Sequence, residues 1–294
     1  MKKLYIIIFS VLTLFASCNS DQPQTTAGDS QNTESSIYER ITATYLQKQQ
    51  EQPSLAKASF WNWLKNIAAA DAKAVAVYVA KHGTNSDWKE ALLAGATASA
   101  IEALSGDNSK KVVQDATGLK PYQTLVLSDI QQIKTAAFER NVMDNLGYYH
   151  YVLVNEVLKD STLLTIPQSE VSAVLYDKIY QEAKQLGLDA SYEKEIAVDL
   201  VNKINQVEDD ESDAYYEHLY LFKNPTDVML FKPIAKLYTS TFLSLNNKAL
   251  FTAYSKEMET AVLEDSTLSQ QVKDVLLLEM ATYRFGNTYY FSNF

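Results

Sequence analysis

Few side chains in this chain could begin a reaction. There are three histidines and one cysteine among 294 residues. His150 closes the run Asn145-Leu146-Gly147-Tyr148-Tyr149-His150, where an imidazole beside Tyr149 could act as a general base or as a polar contact in a cleft. The plainer reading is a buried packing residue, because Leu146, Leu153, Val154 and Val157 fall on the same helical face. His82 lies beside Gly83 at an expected helix end, where a ring nitrogen can bond the last carbonyls. His218 follows Glu217, and neighbouring helical residues point apart, so the two do not form a dyad. The acidic run Glu208-Asp209-Asp210-Glu211-Ser212-Asp213 suggests calcium, yet an EF-hand loop needs Gly at position 6 and Glu at position 12. Counted from Asp209 those places hold Ala214 and Tyr220, and a solvated loop between helices is the simpler reading.

Other chemical routes lack their signatures. There is no H-E-x-x-H helix, no G-x-S-x-G elbow, no Walker loop and no dinucleotide glycine pattern. With Cys18 as the one cysteine, a thiolate metal site, a redox pair and an intrachain disulfide are all excluded. No cofactor or metal is expected. Trp61 and Trp63, near a pair of small-residue helices, join His150 and Tyr149 as candidate ligand or cleft residues, with core and edge packing as the alternative.

Those side chains must be carried by an acidic and turn-poor polypeptide. The formal charge is −10, and Arg40, Arg140 and Arg284 are the only guanidinium groups, so a footprint for nucleic-acid phosphates is missing. Eight glycines and six prolines are too few for the corners of a many-turned all-β fold and favour long helices. Nineteen tyrosines can serve as half-buried packing or as low-entropy contact surface for a ligand.

The compartment is read from MKKLYIIIFSVLTLFASC. Lys2 and Lys3 form a positive start, Leu4 to Phe15 an apolar stretch, and Ala16 and Ser17 are small residues ahead of Cys18. This order resembles the export signal of a bacterial lipoprotein precursor. The resemblance implies removal of residues 1–17 and transfer of diacylglycerol to the Cys18 thiol, giving an outer-membrane lipoprotein whose fatty-acyl chains, palmitate among them, hold it to the bilayer. A plain signal peptide and an uncleaved anchor helix are the alternatives. Residues 18–35 carry no large apolar side chain, cannot offset their ordering entropy, and read as a flexible spacer.

Folded sequence is expected over residues 36–294. Ser36 precedes Glu39 in capping-box spacing, and Ile37, Ile41 and Tyr45 recur on one face of a helix to about Gln50. Ala68, Ala72, Ala76 and Ala80, then Ala91, Gly95, Ser99 and Ala103, put two small-residue faces on successive helices, which predicts a closely packed hairpin. Both arms are shorter than a membrane span needs, although a membrane-active hairpin over Ala58 to Leu104 is an alternative. Helical pattern resumes from about Thr135 to Lys159. Here Gly147 and His150 resemble the G-x-x-H element of secreted helical proteins from gut-type Gram-negative bacteria, with Trp61, Ala70-Asp71 and Gly95-Ala96 echoing their upstream region. That likeness implies a compartment and no activity.

Further helices are expected to Leu186 with Gly187 as terminator, after a Ser191 cap with Ile196, Leu200 and Ile204 inward, near Tyr215 to Phe222, over Asp227 to Leu245 with Pro233 as kink or start, over Lys248 to Leu263, and over Leu268 to Phe285 with a Thr267 cap. The fold class is therefore all-α, a multi-helix globular bundle of about eight to ten helices. The function expected is that of an envelope lipoprotein whose helical domain binds or scaffolds a protein or glycan, non-enzymatically. A hydrolase of cell-wall or carbohydrate substrates, built around His150 or His218 and carboxylates, is the main alternative.

Overall fold

Sequence periodicity becomes helix wherever the chain can both bury one stripe and satisfy its ends. A computed structural model describes residues 36–51, 88–104, 135–206, 224–245 and 247–290, with single positions at 109, 110, 113, 116 and 222. Ser36–Phe294 forms one compact unit. The fold is all-α: the described residues hold eight α-helices, one 3-10 turn and no strand. The helices are α1 (Ile37–Gln50), α2 (Trp88–Leu104), α3 (Asp144–Leu158), α4 (Gln168–Gln185), α5 (Lys194–Gln206), α6 (Pro225–Ser244), α7 (Lys248–Glu264) and α8 (Gln270–Tyr290).

Among the described helices the packing runs in two groups whose main junction is one pair. Helix α2 lies against α3, α4 and α5, while α1 lies against α6 and α7, and α8 against α6 and α7. The seam between the groups is the contact of α3 with α8. Helix α1 is thus fastened to elements more than two hundred residues away, through Tyr38 Oη donating to Asp265 Oδ2 at 2.8 Å and the Thr42–Tyr254 hydroxyl pair at 3.2 Å.

The Ser36 capping box forms as its spacing predicts, with Glu39 N on the Ser36 hydroxyl and Ser36 N on the Glu39 carboxylate. Helix α2 is buried along most of its length, on all sides, because Ala, Gly, Ser and Thr let neighbours close around it. Gly187 ends α4 in the left-handed region at φ 77°, and Leu188 N returns to the Ala183 carbonyl at 2.9 Å, the six-to-one bond of a Schellman turn.

Four local expectations are corrected. Helix α3 begins at Asp144 and not near Thr135, because Asn141 and Asp144 turn their side chains on nearby backbone: Met143 N donates to Asn141 Oδ1 at 2.8 Å and Phe138 N to Asp144 Oδ2 at 3.0 Å. Helix α5 starts at Lys194 and buries Ala197 and Val201, leaving Ile196 exposed. Pro225 occupies the first turn of α6 under an Asn224 cap, so Pro233 is internal. Ser269, not Thr267, meets the start of α8, accepting from Val272 N at 3.3 Å, while Thr267 bonds back to Asp265. The first arm of the small-residue hairpin, the acidic run at Glu208 and most of the helix expected at Tyr215 lie outside the described residues.

Candidate functional site

Polar chemistry in the described part of the domain concentrates at the seam. Arg284 on α8 is wholly buried. Its Nε and Nη2 donate to the two oxygens of Glu259 on α7 at 2.8 and 2.9 Å, Nη2 also reaches Asp144 at the start of α3, and Nη1 reaches the Ala136 carbonyl. A planar fork holding two carboxylates is the geometry at which arginine excels. Burial alone would lower the Arg284 pKa, but the charges and hydrogen bonds of Glu259 and Asp144 outweigh it and hold the guanidinium charged.

Glu259 is also wholly buried, and its acceptor capacity is used up. Oε1 takes Arg284 Nε and the Ser255 hydroxyl at 2.7 Å, and Oε2 takes Arg284 Nη2 and Asn141 Nδ2 at 2.7 Å. Two oxygens offer about four lone-pair sites, so none remains for a proton from a substrate. Asn141 further donates to the Leu277 carbonyl at 2.8 Å, tying the turn before α3 to α8. Tyr238 on α6 meets Ser255 at 2.8 Å and lies 3.3 Å from the Met280 carbonyl. Burial, then the nearby Glu259 charge, pushes the Tyr238 phenol well above its ordinary value and keeps it neutral. Four helices and the 136–144 turn therefore converge on one ion cluster whose groups face each other.

His150 sits on the other face of α3. The residue is 4% exposed, and its Nε2 is 3.2 Å from the Ser99 hydroxyl on α2. Ser99 donates its own proton to the Gly95 carbonyl at 3.0 Å, so within this network it accepts from His150, which assigns the proton to Nε2. One turn earlier, Gly147 meets α8: a Cβ placed there would lie 2.7 Å from the Ala281 carbonyl carbon. Both members of the G-x-x-H element thus stand at helix contacts, one against α8 and one against α2.

Tyr149 is half-buried, with its ring 5.6 Å from Tyr148, which in turn meets Phe285 edge-on at 5.8 Å. Cys18, Trp61, Trp63, His82 and His218 lie outside the described residues. Among the described residues no three of His, Cys, Asp and Glu are grouped to hold a metal ion, and no helix is long and apolar enough to cross a membrane. Sequence reading missed Arg284, Glu259, Asp144 and Asn141, and no local signal could have found them. Asp144 and Arg284 are 140 positions apart, and Asn141 and Glu259 are 118 apart. Much of the tyrosine content is interior: Tyr45, Tyr254, Tyr238 and Tyr283 follow one another at centroid distances of 5.5, 5.6 and 5.6 Å.

Compared with known proteins, the chain matches no family model, no curated protein and no solved structure.

Proposed function

We propose that this chain is an exported lipoprotein of the cell envelope, held to the outer membrane through acylated Cys18, whose helical domain binds or scaffolds a partner and carries out no chemistry of its own. The observation that carries this reading is the order of the first eighteen residues: two lysines, a largely apolar stretch, two small residues and the one cysteine of the chain. The disposition of the buried charges supports the second half. Arg284, Glu259 and Asp144 are spent on fastening helices to one another, and a saturated carboxylate such as Glu259 is a poor general base. The acidity of the chain supports a partner other than nucleic acid.

The test is fractionation of cells making the full chain, with mass spectrometry of its N-terminus. The native protein is expected in the envelope fraction, beginning at an acylated Cys18, and Cys18→Ser is expected to abolish both the acyl mass and membrane retention. Unacylated protein in the cytosol with Met1 attached would overturn the tether. A purified domain that turned over cell-wall or carbohydrate substrates would overturn the non-enzymatic half.

A further inference from the structure

The connection between α4 and α5, residues 186–193, is fixed more firmly than an ordinary surface loop. Besides the Gly187 turn, Lys89 Nζ donates to the Asp189 carbonyl at 2.8 Å and Glu193 N donates to the Tyr176 hydroxyl at 3.0 Å. These anchors come from α2 and α4, which are themselves packed together. Loops held by a rigid scaffold are where binding groups are most often presented.

What this loop presents is a ring. Tyr192 keeps 53% of its surface in solvent, yet it is braced by Tyr180 at 4.9 Å and Tyr176 at 5.7 Å, both met edge-on. Its hydroxyl donates to Asp177 Oδ1 at 2.6 Å, and the other Asp177 oxygen takes Lys194 Nζ at 2.5 Å. Exposed Ile196 follows one turn on. A large amphipathic ring already fixed in place loses little entropy when something settles on it.

We infer that Tyr192, with Asp177 and Lys194 at its edge, is a subsite for a neutral glycan, one sugar ring stacking on the exposed tyrosine while its hydroxyls bond the carboxylate and the ammonium. Size favours a sugar over a folded partner. Among the described residues this corner exposes one large ring and one isoleucine, and a single pyranose face matches one aromatic ring. Hydrogen-bonding capacity points the same way. Asp177 has about four acceptor sites and Lys194 about three donors, and their bonds to Tyr192 and to each other leave acceptors and donors over for sugar hydroxyls. Charge narrows the class, since a chain at −10 repels polyanionic glycans.

This assignment rests on the reading of the domain as a binding module, but the two fail separately: acylation of Cys18 reports the tether, and glycan titration reports the subsite. The full chain in neutral detergent micelles, with its tyrosines isotope-labelled, would be titrated to millimolar levels with tetrasaccharides of β-1,4-linked glucose, mannose and N-acetylglucosamine and of α-1,4-linked glucose. A sulfated and a uronate tetrasaccharide serve as acidic counterparts. At least one neutral sugar should shift the Tyr192 and Tyr180 ring resonances. Tyr192→Ala should weaken that binding by about tenfold or more, as loss of a central aromatic contact does, with helical content unchanged. Tyr192→Trp should keep it, and Asp177→Asn should weaken it less than the loss of the ring. Silence of those resonances with every neutral sugar, binding that survives Tyr192→Ala, or a preference for the acidic sugars would each overturn the assignment.

Discussion

Helix α3 meets α2 and the α7–α8 pair by different means. Towards α2, a helix rich in small buried residues, it includes the hydroxyl of Ser99 against His150. Towards α7 and α8 it joins full charges, an arginine locked between the enclosed Glu259 and the mostly buried Asp144, to the close approach of Gly147 and Ala281. A small-residue contact gains from closeness, and loss of a methyl group's width is all that separates a good fit from a poor one. An ion cluster gains from completeness, since removal of any one member strands the others in a medium that penalises charge. The ion cluster is sensitive to the loss of any one charge, whereas a close approach such as that of Gly147 to Ala281 is sensitive to added volume.

That contrast can be broken most directly at Arg284. Arg284→Met should destabilise the domain by about 3–5 kcal/mol in urea unfolding, because Glu259 is left charged and enclosed. The double variant Arg284→Met with Glu259→Leu should recover much of the loss. A single substitution as mild as a surface change would mean that the cluster is not a lock. Next in size, Gly147→Ala should cost about 1–3 kcal/mol through overpacking, since the added Cβ meets the backbone of Ala281 and not a movable side chain. The same addition at half-buried Gly286, where nothing lies within 4 Å of the new Cβ, should leave the melting temperature at or slightly above its starting value.

A smaller loss is expected on the α2 side. Ser99→Ala removes the acceptor for the His150 ring proton and should cost about 1 kcal/mol, with helical content retained and the unfolding midpoint the measured quantity. The smallest effect is in alkali. Burial, aided at Tyr45 by the Glu257 carboxylate, holds the phenols of Tyr45 on α1 and Tyr176 on α4 up at about 12 against an ordinary 10.0. A raised folded pKa contributes stability that is whole below the unfolded value and is lost on ascent to the folded one. Stability should therefore fall between pH 10.0 and about 12, and Tyr45→Phe and Tyr176→Phe should each flatten that fall. Tyrosinate absorbance that rises at the ordinary phenol value in the folded protein would contradict it.

The two kinds of contact also differ in how far they can be read from sequence. The spacing of Ala91, Gly95, Ser99 and Ala103 announces a helix with a close neighbour, because small residues every four positions are a local pattern. The Ser36 capping box and the Gly187 stop are equally local, and both form. The start of α3 was not legible, since the chemistry that delays it comes from Asn141 and Asp144 reaching for backbone in place of continuing the helix. Nor was the cluster, whose members lie on separate helices and reveal nothing until the helices meet. The same holds for Ile196: its apolar character suggested the inward stripe, whereas packing against α4 and α2 turned Ala197 and Val201 inward.

The attachment of α1 to α6 and α7 sets an order of events for the newborn polypeptide. Tyr38 and Thr42 wait for Asp265 and Tyr254, so the first helix has nowhere to settle until nearly the whole length has emerged. Loop closure of that span is slow to nucleate. A polypeptide built this way leaves its first helix undocked until synthesis is nearly complete.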